Sequence, residues 1–196
     1  MCIHPIISLR PITDRCLMCP NSCWVEVCDG IHHCCWHKFM QDRDMRIIRG
    51  FEQLKKLAGE ELGVSNWLEI TQDRIDQFAK ATGDAYWIHT DPARADAASP
   101  FGATIAHGYL TLSLITVLSR QIARVEECGT AINYGVDRVR FVNPVRVGSQ
   151  VRARQTVLSV TPLKKGSFKL TNEVIVEIEG EDKPACVAKT LTVYLP

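Results

Sequence analysis

GYLTLSLITVLSRQI, residues 108–122, carries apolar side chains on every side, broken mainly by Thr and Ser. Such a helix is predicted to lie buried inside a domain. It is too short and too rich in hydroxyls to cross a bilayer, which takes about 20 apolar residues. Beyond Cys128 the text changes period. Residues 132–143, 149–160, 167–179 and 186–195 alternate as strands do, with breaks at Pro144, Pro162–Gly166 and Gly180–Pro184. The first of these slips phase near Asp137. Val151, Ala153 and Val157 share one predicted inward face. Phe168, Leu170, Val174, Val176 and Ile178 share another, and Val187, Leu191, Val193 and Leu195 a third. Helices first and a run of long strands after them predict an α+β domain with an antiparallel sheet. No internal repeat or low-complexity tract is present.

Upstream of the buried helix, Thr71 has the character of an N-cap for DRIDQFAKATG, with Ile75, Phe78 and Ala79 on one face. Gly83 ends that helix. Residues 46–62 place Ile47, Phe51, Leu54, Leu57 and Ala58 at helical spacing, and 63–70 read as a short extended segment. Between Gly83 and Gly108 lies a Gly- and Pro-rich loop. In it Pro92 opens a short helix, PARADAA, capped by Asp91.

The first 44 residues follow no period. They hold seven of the nine cysteines (Cys2, Cys16, Cys19, Cys23, Cys28, Cys34, Cys35) and four of the six histidines (His4, His32, His33, His37). Cys16-x2-Cys19 is the start of a zinc or iron–sulfur pattern, but the later spacings complete no ligand set. The stretch reads as a poorly ordered Cys/His-rich extension, 1–44, before a domain at 45–196. Met45 is a candidate true start. The opening MCIHPIISLRPITDR lacks a basic n-region and a clean cleavage site, so it is not read as a signal peptide.

Net charge is +1, with acidic and basic residues interspersed, which argues against a nucleic-acid partner. No apolar run is long enough for a membrane span. Cys128 and Cys186 stand far apart in the body, as in a reduced cytoplasmic protein.

The candidate chemistry sits in the loop. In TGDAYWIH, Asp84 and His89 are five residues apart, so a held loop can turn carboxylate and imidazole onto one water. Adding water across a C=C beside a thioester needs a base, an acid and a stabiliser for the enolate oxygen. Asp and His supply the first two. A backbone N–H at a helix N-terminus supplies the third, and Gly108 stands where the buried helix begins, with no side chain to keep a carbonyl away. A buried helix wrapped by an antiparallel sheet is the hot-dog arrangement.

TGDAYWIHTDPARA resembles the hydratase motif of the MaoC-like and (R)-specific enoyl-CoA hydratases. PFGATIAHGYLTLSLIT resembles that family's second stretch, and FVNPVRVGSQV its strand–turn–strand signature. The likeness covers about residues 60–196 and looks closest to the branch named for nodulation protein N. It implies a hot-dog fold and reversible hydration of trans-2-enoyl-CoA to (R)-3-hydroxyacyl-CoA. It implies Asp84 and His89 as the catalytic pair, the Gly108 N–H as oxyanion donor, and a Thr116 hydroxyl bonded to Asp84. It implies no metal or redox cofactor, since the thioester itself acidifies the α-proton. It implies a homodimer and an acyl-CoA or acyl-carrier-protein substrate. One departure is clear: the usual Asn-Pro before the hydrophobic residue and His is Tyr86-Trp87 here, which bears on substrate shape.

Alone, Asp84 after a helix-ending Gly reads as a turn residue and His89 as a structural histidine. Their combination with His107-Gly108 favours catalysis. His107 is expected to brace the loop, and Tyr86 and Trp87 are pocket wall or ordinary packing. Arg138, Arg140, Arg146 and Arg152 are candidate CoA contacts or a solvated strand face. A hot-dog thioesterase is disfavoured by the Asp-x4-His pair. A non-catalytic acyl-CoA or acyl-carrier binding protein is the rival outside enzymes.

Overall fold

A computed structural model describes residues 45–196 of the chain. The Cys/His-rich stretch, its Cys16/Cys19 pair and the proposed boundary at 44/45 fall outside the described residues.

The element order begins with β1 (Arg46–Arg49), α1 (Gly50–Lys56), β2 (Glu61–Val64), β3 (Leu68–Glu69) and α2 (Gln72–Thr82). The loop region holds α3 (Trp87–Thr90) and α4 (Pro92–Ala98), and α5 (Gly108–Ile122) follows. The chain closes with β4 (Ala123–Glu126), β5 (Ala131–Phe141), β6 (Gln150–Pro162), β7 (Phe168–Ile178) and β8 (Cys186–Tyr194). The long strands form an antiparallel sheet in the order β2-β6-β7-β8-β5, with β3 also on β6. Helix α5 packs on β6, β7 and β8 and touches β2 and β4. This is the predicted hot-dog arrangement.

Local signals account for several boundaries. The Thr71 hydroxyl accepts the Arg74 N–H at 3.3 Å, and Gly83 ends α2 at φ +80°, a left-handed conformation that glycine adopts without steric cost. Asp91 caps α4 through the Arg94 N–H at 3.0 Å. The phase slip near Asp137 is a register shift between Asp137 and Arg140, with Arg138 at φ +52°.

Three expectations are corrected. The helix expected over 46–62 is confined to α1. β1 precedes it and pairs in parallel with β4, and β2 follows it. Turning the chain into these two pairings leaves Ile48 and Leu62 buried and turns Ile47, expected on the inner face of the helix, outward. The inward face of β8 is Cys186 and Ala188, not Val187 and Leu191. Small side chains lie where α5 crosses the strand, so the larger apolar set marks the wrong face. Burial pushes the Cys186 thiol up to about 11. Finally, α5 is not buried all round. Leu110, Leu114, Leu118 and Ile122 line the core at a spacing of four, while Tyr109, Ser113 and Val117 form an exposed stripe.

Candidate active site

The loop after α2 and the start of α5 come together around two imidazoles. Asp84 follows the Gly83 cap, and its side chain is 58% exposed. His89 sits on the single turn α3 and is half-buried. His107, 3% exposed, is the residue before α5. The rings of His89 and His107 stack with centroids 3.8 Å apart and planes 26° from parallel, and the tilted ring of Phe78 of α2 meets His107 at 5.1 Å.

The protons in this stack are set by backbone carbonyls. His89 Nδ1 lies 2.7 Å from the carbonyl oxygen of Ile105. A carbonyl only accepts, so Nδ1 carries the hydrogen and Nε2 keeps a lone pair. His107 Nε2 lies 2.9 Å from the Asp84 carbonyl oxygen and donates to it in the same way. The Asp84 carboxylate is 4.0 Å from that nitrogen. Thus His107, expected to brace the loop, is bonded to the backbone of the catalytic candidate itself.

One ligand atom each from Asp84, His89 and His107 lies within 4.8 Å of the others. These are donor types that a divalent cation accepts. The His107 Nε2–H is bonded to a carbonyl and is no ligand in that tautomer, and His107 Nδ1 is buried with no hydrogen-bond partner among the described residues, which sets the Asp84 carboxylate and the His89 ring apart as a pair. Two such donors at this separation suit one water, since two hydrogen bonds of about 2.8 Å span it.

A cleft of about 270 Å³ opens beside His89, lined among others by Phe101, Ile105, Gly108, Thr111, Phe141 and Val145. Gly108 begins α5, so its N–H is outside the helical ladder and open to an acceptor. The reason for glycine is more specific than substrate approach. A Cβ at Gly108 would lie 2.8 Å from Phe141 Cδ2 and 2.9 Å from Cγ, because the Phe141 ring packs onto the bare Cα. Tyr109 meets that ring edge-on at 5.7 Å. A larger cleft of about 360 Å³, lined by Trp67, Arg152 and Glu177 among others, holds none of the candidate catalytic groups.

Residues 53–178 match the family described as "MaoC like domain". The chain belongs to the MaoC-like dehydratase family. Its relatives in that family include 3-hydroxyacyl-thioester dehydratase Z of Mycobacterium tuberculosis, 48% identical over 151 residues, covering 77% of this chain and 99% of that protein. Nodulation protein N of Rhizobium meliloti is 48% identical over 142 residues, covering 71% and 88%. Among solved structures, the (R)-hydratase from A. caviae, described as involved in PHA biosynthesis, superposes with a TM-score of 0.54 at 26% identity, covering 71% of this chain and 96% of that one. An (R)-hydratase from Pseudomonas aeruginosa, 23% identical over 74% of this chain and 85% of its own, shares the fold at a TM-score of 0.57.

Not every predicted residue of this MaoC-like chain joins the site. The Thr116 hydroxyl accepts from Asn133 Nδ2 of β5 at 3.4 Å and makes no bond to Asp84, because it lies two turns along α5 from Gly108. Tyr86 and Trp87 do not line the cleft. Tyr86 is exposed, and Trp87 lies under the Arg94 guanidinium at 4.4 Å. Arg152, a candidate CoA contact, is bonded to Glu177 at 2.6 Å and stacked on Trp67. Residues missed by sequence reasoning are Ile105, whose carbonyl orients His89, and Phe141, whose ring covers Gly108. The first acts through its backbone and leaves no side-chain signal. The second lies within the FVNPVRVGSQV stretch, whose strand alternation does not show that its ring meets Gly108.

Proposed function

We propose that this chain reversibly hydrates trans-2-enoyl thioesters, giving (R)-3-hydroxyacyl products, with CoA or an acyl-carrier protein as the carrier. The observation that carries the reading is the His89 tautomer, with Nδ1–H held by the Ile105 carbonyl and Nε2 left with a lone pair, on a ring that brings one nitrogen within 4.8 Å of an Asp84 carboxylate oxygen. In the hydration direction a water bonded to both gives its oxygen to Cβ of the enoyl group and its proton to Nε2. Negative charge moves to the thioester oxygen, where the Gly108 N–H and the dipole of α5 stabilise it. The imidazolium then returns a proton to Cα, and the thioester carbonyl re-forms. Asp84 orients the water and balances the transient charge on His89. Every proton is accounted for by these groups and the water, so the reading assigns no metal or redox cofactor to the reaction. The (R) outcome is carried over from the resemblance and from the names of the structural relatives.

A homodimer fits the same reading. β5 pairs only with β8 among the described residues, and Ile132, Tyr134 and Val136 are exposed at alternate positions along it. The exposed stripe of α5 meets β5 through the Tyr109–Phe141 and Thr116–Asn133 contacts. A second copy on this face would cover the apolar surface beside the cleft mouth. No described helix is long and apolar enough to cross a membrane, and Cys128 and Cys186 are free thiols, which suits a reducing cytoplasm.

The test is turnover of a short and a medium trans-2-enoyl-CoA with chiral analysis of the product, for wild type, Asp84→Asn and His89→Ala. R-product that falls by about 10²-fold or more in each variant supports the reading. Failure of wild type on both CoA esters and on an acyl-carrier-protein ester overturns it.

A further inference from the structure

Gln72 has no place in the chemistry above, yet it is the hub of the polar contacts behind His89. It is the first residue of α2. Its Nε2 donates to the His89 carbonyl and to Asp76 Oδ1, both at 2.8 Å. Its Oε1 accepts from the hydroxyl of Thr104 at 2.5 Å. Thr104 is 1% exposed and neighbours Ile105, the residue whose carbonyl holds the His89 ring. Ile105 in turn donates its N–H to the Ile88 carbonyl at 3.1 Å, and the Thr104 carbonyl is anchored by the Val147 N–H at 2.9 Å.

These bonds close a circuit. It runs from Gln72 to the His89 backbone, through the ring to Ile105, and back along Thr104 to Gln72. Both hydrogens of the Gln72 amide are used, which fixes the side chain's orientation. A four-residue helix such as α3 has no stiffness of its own. The circuit supplies it: the His89 main chain and ring are held to one short segment at two points.

We propose that Gln72, acting through Thr104, is a positioning residue that sets the orientation and tautomer of His89. This rests on the reading of His89 as the proton-transfer group. Chemistry of this kind is sensitive to displacements of about 1 Å, so loosening the circuit lowers the rate more than the affinity. A glutamate at position 72 could not substitute, because its carboxylate would face the Asp76 carboxylate and the His89 carbonyl with nothing to donate. The titratable groups around His89 are otherwise Asp84 on its own loop and His107 before α5.

The experiment uses the full chain with Gln72→Leu, Thr104→Val and Thr104→Ser, beside wild type and His89→Ala. Enoyl-CoA hydration is measured as kcat and KM, and the 15N shifts of the His89 ring report its tautomer. Thr104→Val keeps the shape of a buried side chain and removes only the hydroxyl. The expectation is a fall in kcat of about tenfold or more in Gln72→Leu and Thr104→Val, with KM within about twofold. In Thr104→Ser, which restores the hydroxyl, kcat should return to near the wild-type value. In wild type the ring should show Nδ1 protonated and Nε2 bare, and in Gln72→Leu the two forms should mix. An unchanged ring spectrum with unchanged kcat in Gln72→Leu overturns the proposal. So does a Thr104→Ser as slow as Thr104→Val. If His89→Ala turns over as fast as wild type, the hydratase reading fails instead, and the ring spectrum still decides whether Gln72 holds His89.

Discussion

The His107 imidazole stacks on His89, meets the tilted ring of Phe78, and donates its Nε2–H to the main-chain carbonyl of Asp84, 2.9 Å away. One buried residue therefore fixes the ring of one catalytic candidate and the backbone of the other. His107→Phe preserves the aromatic stack and removes the donor. Its turnover should fall by about tenfold while its melting temperature moves by only a few degrees, because the freed Asp84 carbonyl lies in an exposed loop that water can reach. Steady-state kinetics beside a thermal melt would check this. Full activity would show that Asp84 needs no brace.

Gly108→Ala drives a methyl group into the Phe141 ring. Overpacking of this kind costs about 1–3 kcal/mol, which in a chain of this size is a fall in Tm of about 2–10 °C. Adding Phe141→Leu should recover much of that loss. Differential scanning calorimetry of the single and double variants measures the coupling directly. Equal melting of the two would mean that Phe141 is not what demands glycine.

Glu177 sits between two guanidiniums, with Arg152 Nε at 2.6 Å and Arg154 Nε at 2.7 Å, and Arg154 also reaches Glu61 at 2.8 Å. Burial would raise the Glu177 carboxyl, but the bonds from Arg154 and Arg152 outweigh it and hold the group below its ordinary value of 4.5. A folded-state value below the unfolded one means stability that is present above the unfolded pKa and lost as pH falls through the folded one. Glu177→Gln should therefore cost about 1 kcal/mol at neutral pH, a figure already discounted for partial exposure. The gap between variant and wild type should close in acid. Urea titrations at a series of pH values would show it, and a gap that widened in acid would contradict the assignment.

The free edge of β5, along which Ile132, Tyr134 and Val136 are exposed, is expected to meet a second copy. Sedimentation should then give about twice the 22.0 kDa chain mass. Tyr134→Glu puts a charge into that contact and should weaken association by at least about tenfold. A monomeric wild type at micromolar concentration would remove the dimer from the proposal.

Much of this architecture was legible because short-range rules decide it. Thr71 and Gly83 bound α2 by capping chemistry, Gly108 and Ile122 bound α5, and the alternation in β6 and β7 names the residues that are buried. The failures share a cause. The face of β8 and the exposed stripe of α5 depend on which neighbour lies opposite, and hydrophobicity alone does not carry that information. At the site, spacing and chemistry singled out Asp84, His89 and Gly108, and the fold brings these candidates to the loop after α2 and the start of α5. The Thr116 bond carried over from relatives was not made, and the Ile105 carbonyl could not have been read from any side chain.

That last feature affects how substitutions at this site are read. The group that selects the His89 tautomer is a peptide oxygen, and every amino acid supplies one. A scan that replaces the Ile105 side chain by any other will therefore leave the anchoring carbonyl in place, and only proline takes away the N–H that bonds Ile88. Random substitution likewise has no single-codon route to deleting the anchor. What removes it is a change in chain length between Ser99 and Ile105, which would slide a different carbonyl, at a different angle, beneath the ring. Libraries meant to retailor this pocket can vary the side chains of that segment other than Thr104, whose hydroxyl bonds Gln72, and Gly102, whose φ is +63°, provided that its residue count stays the same.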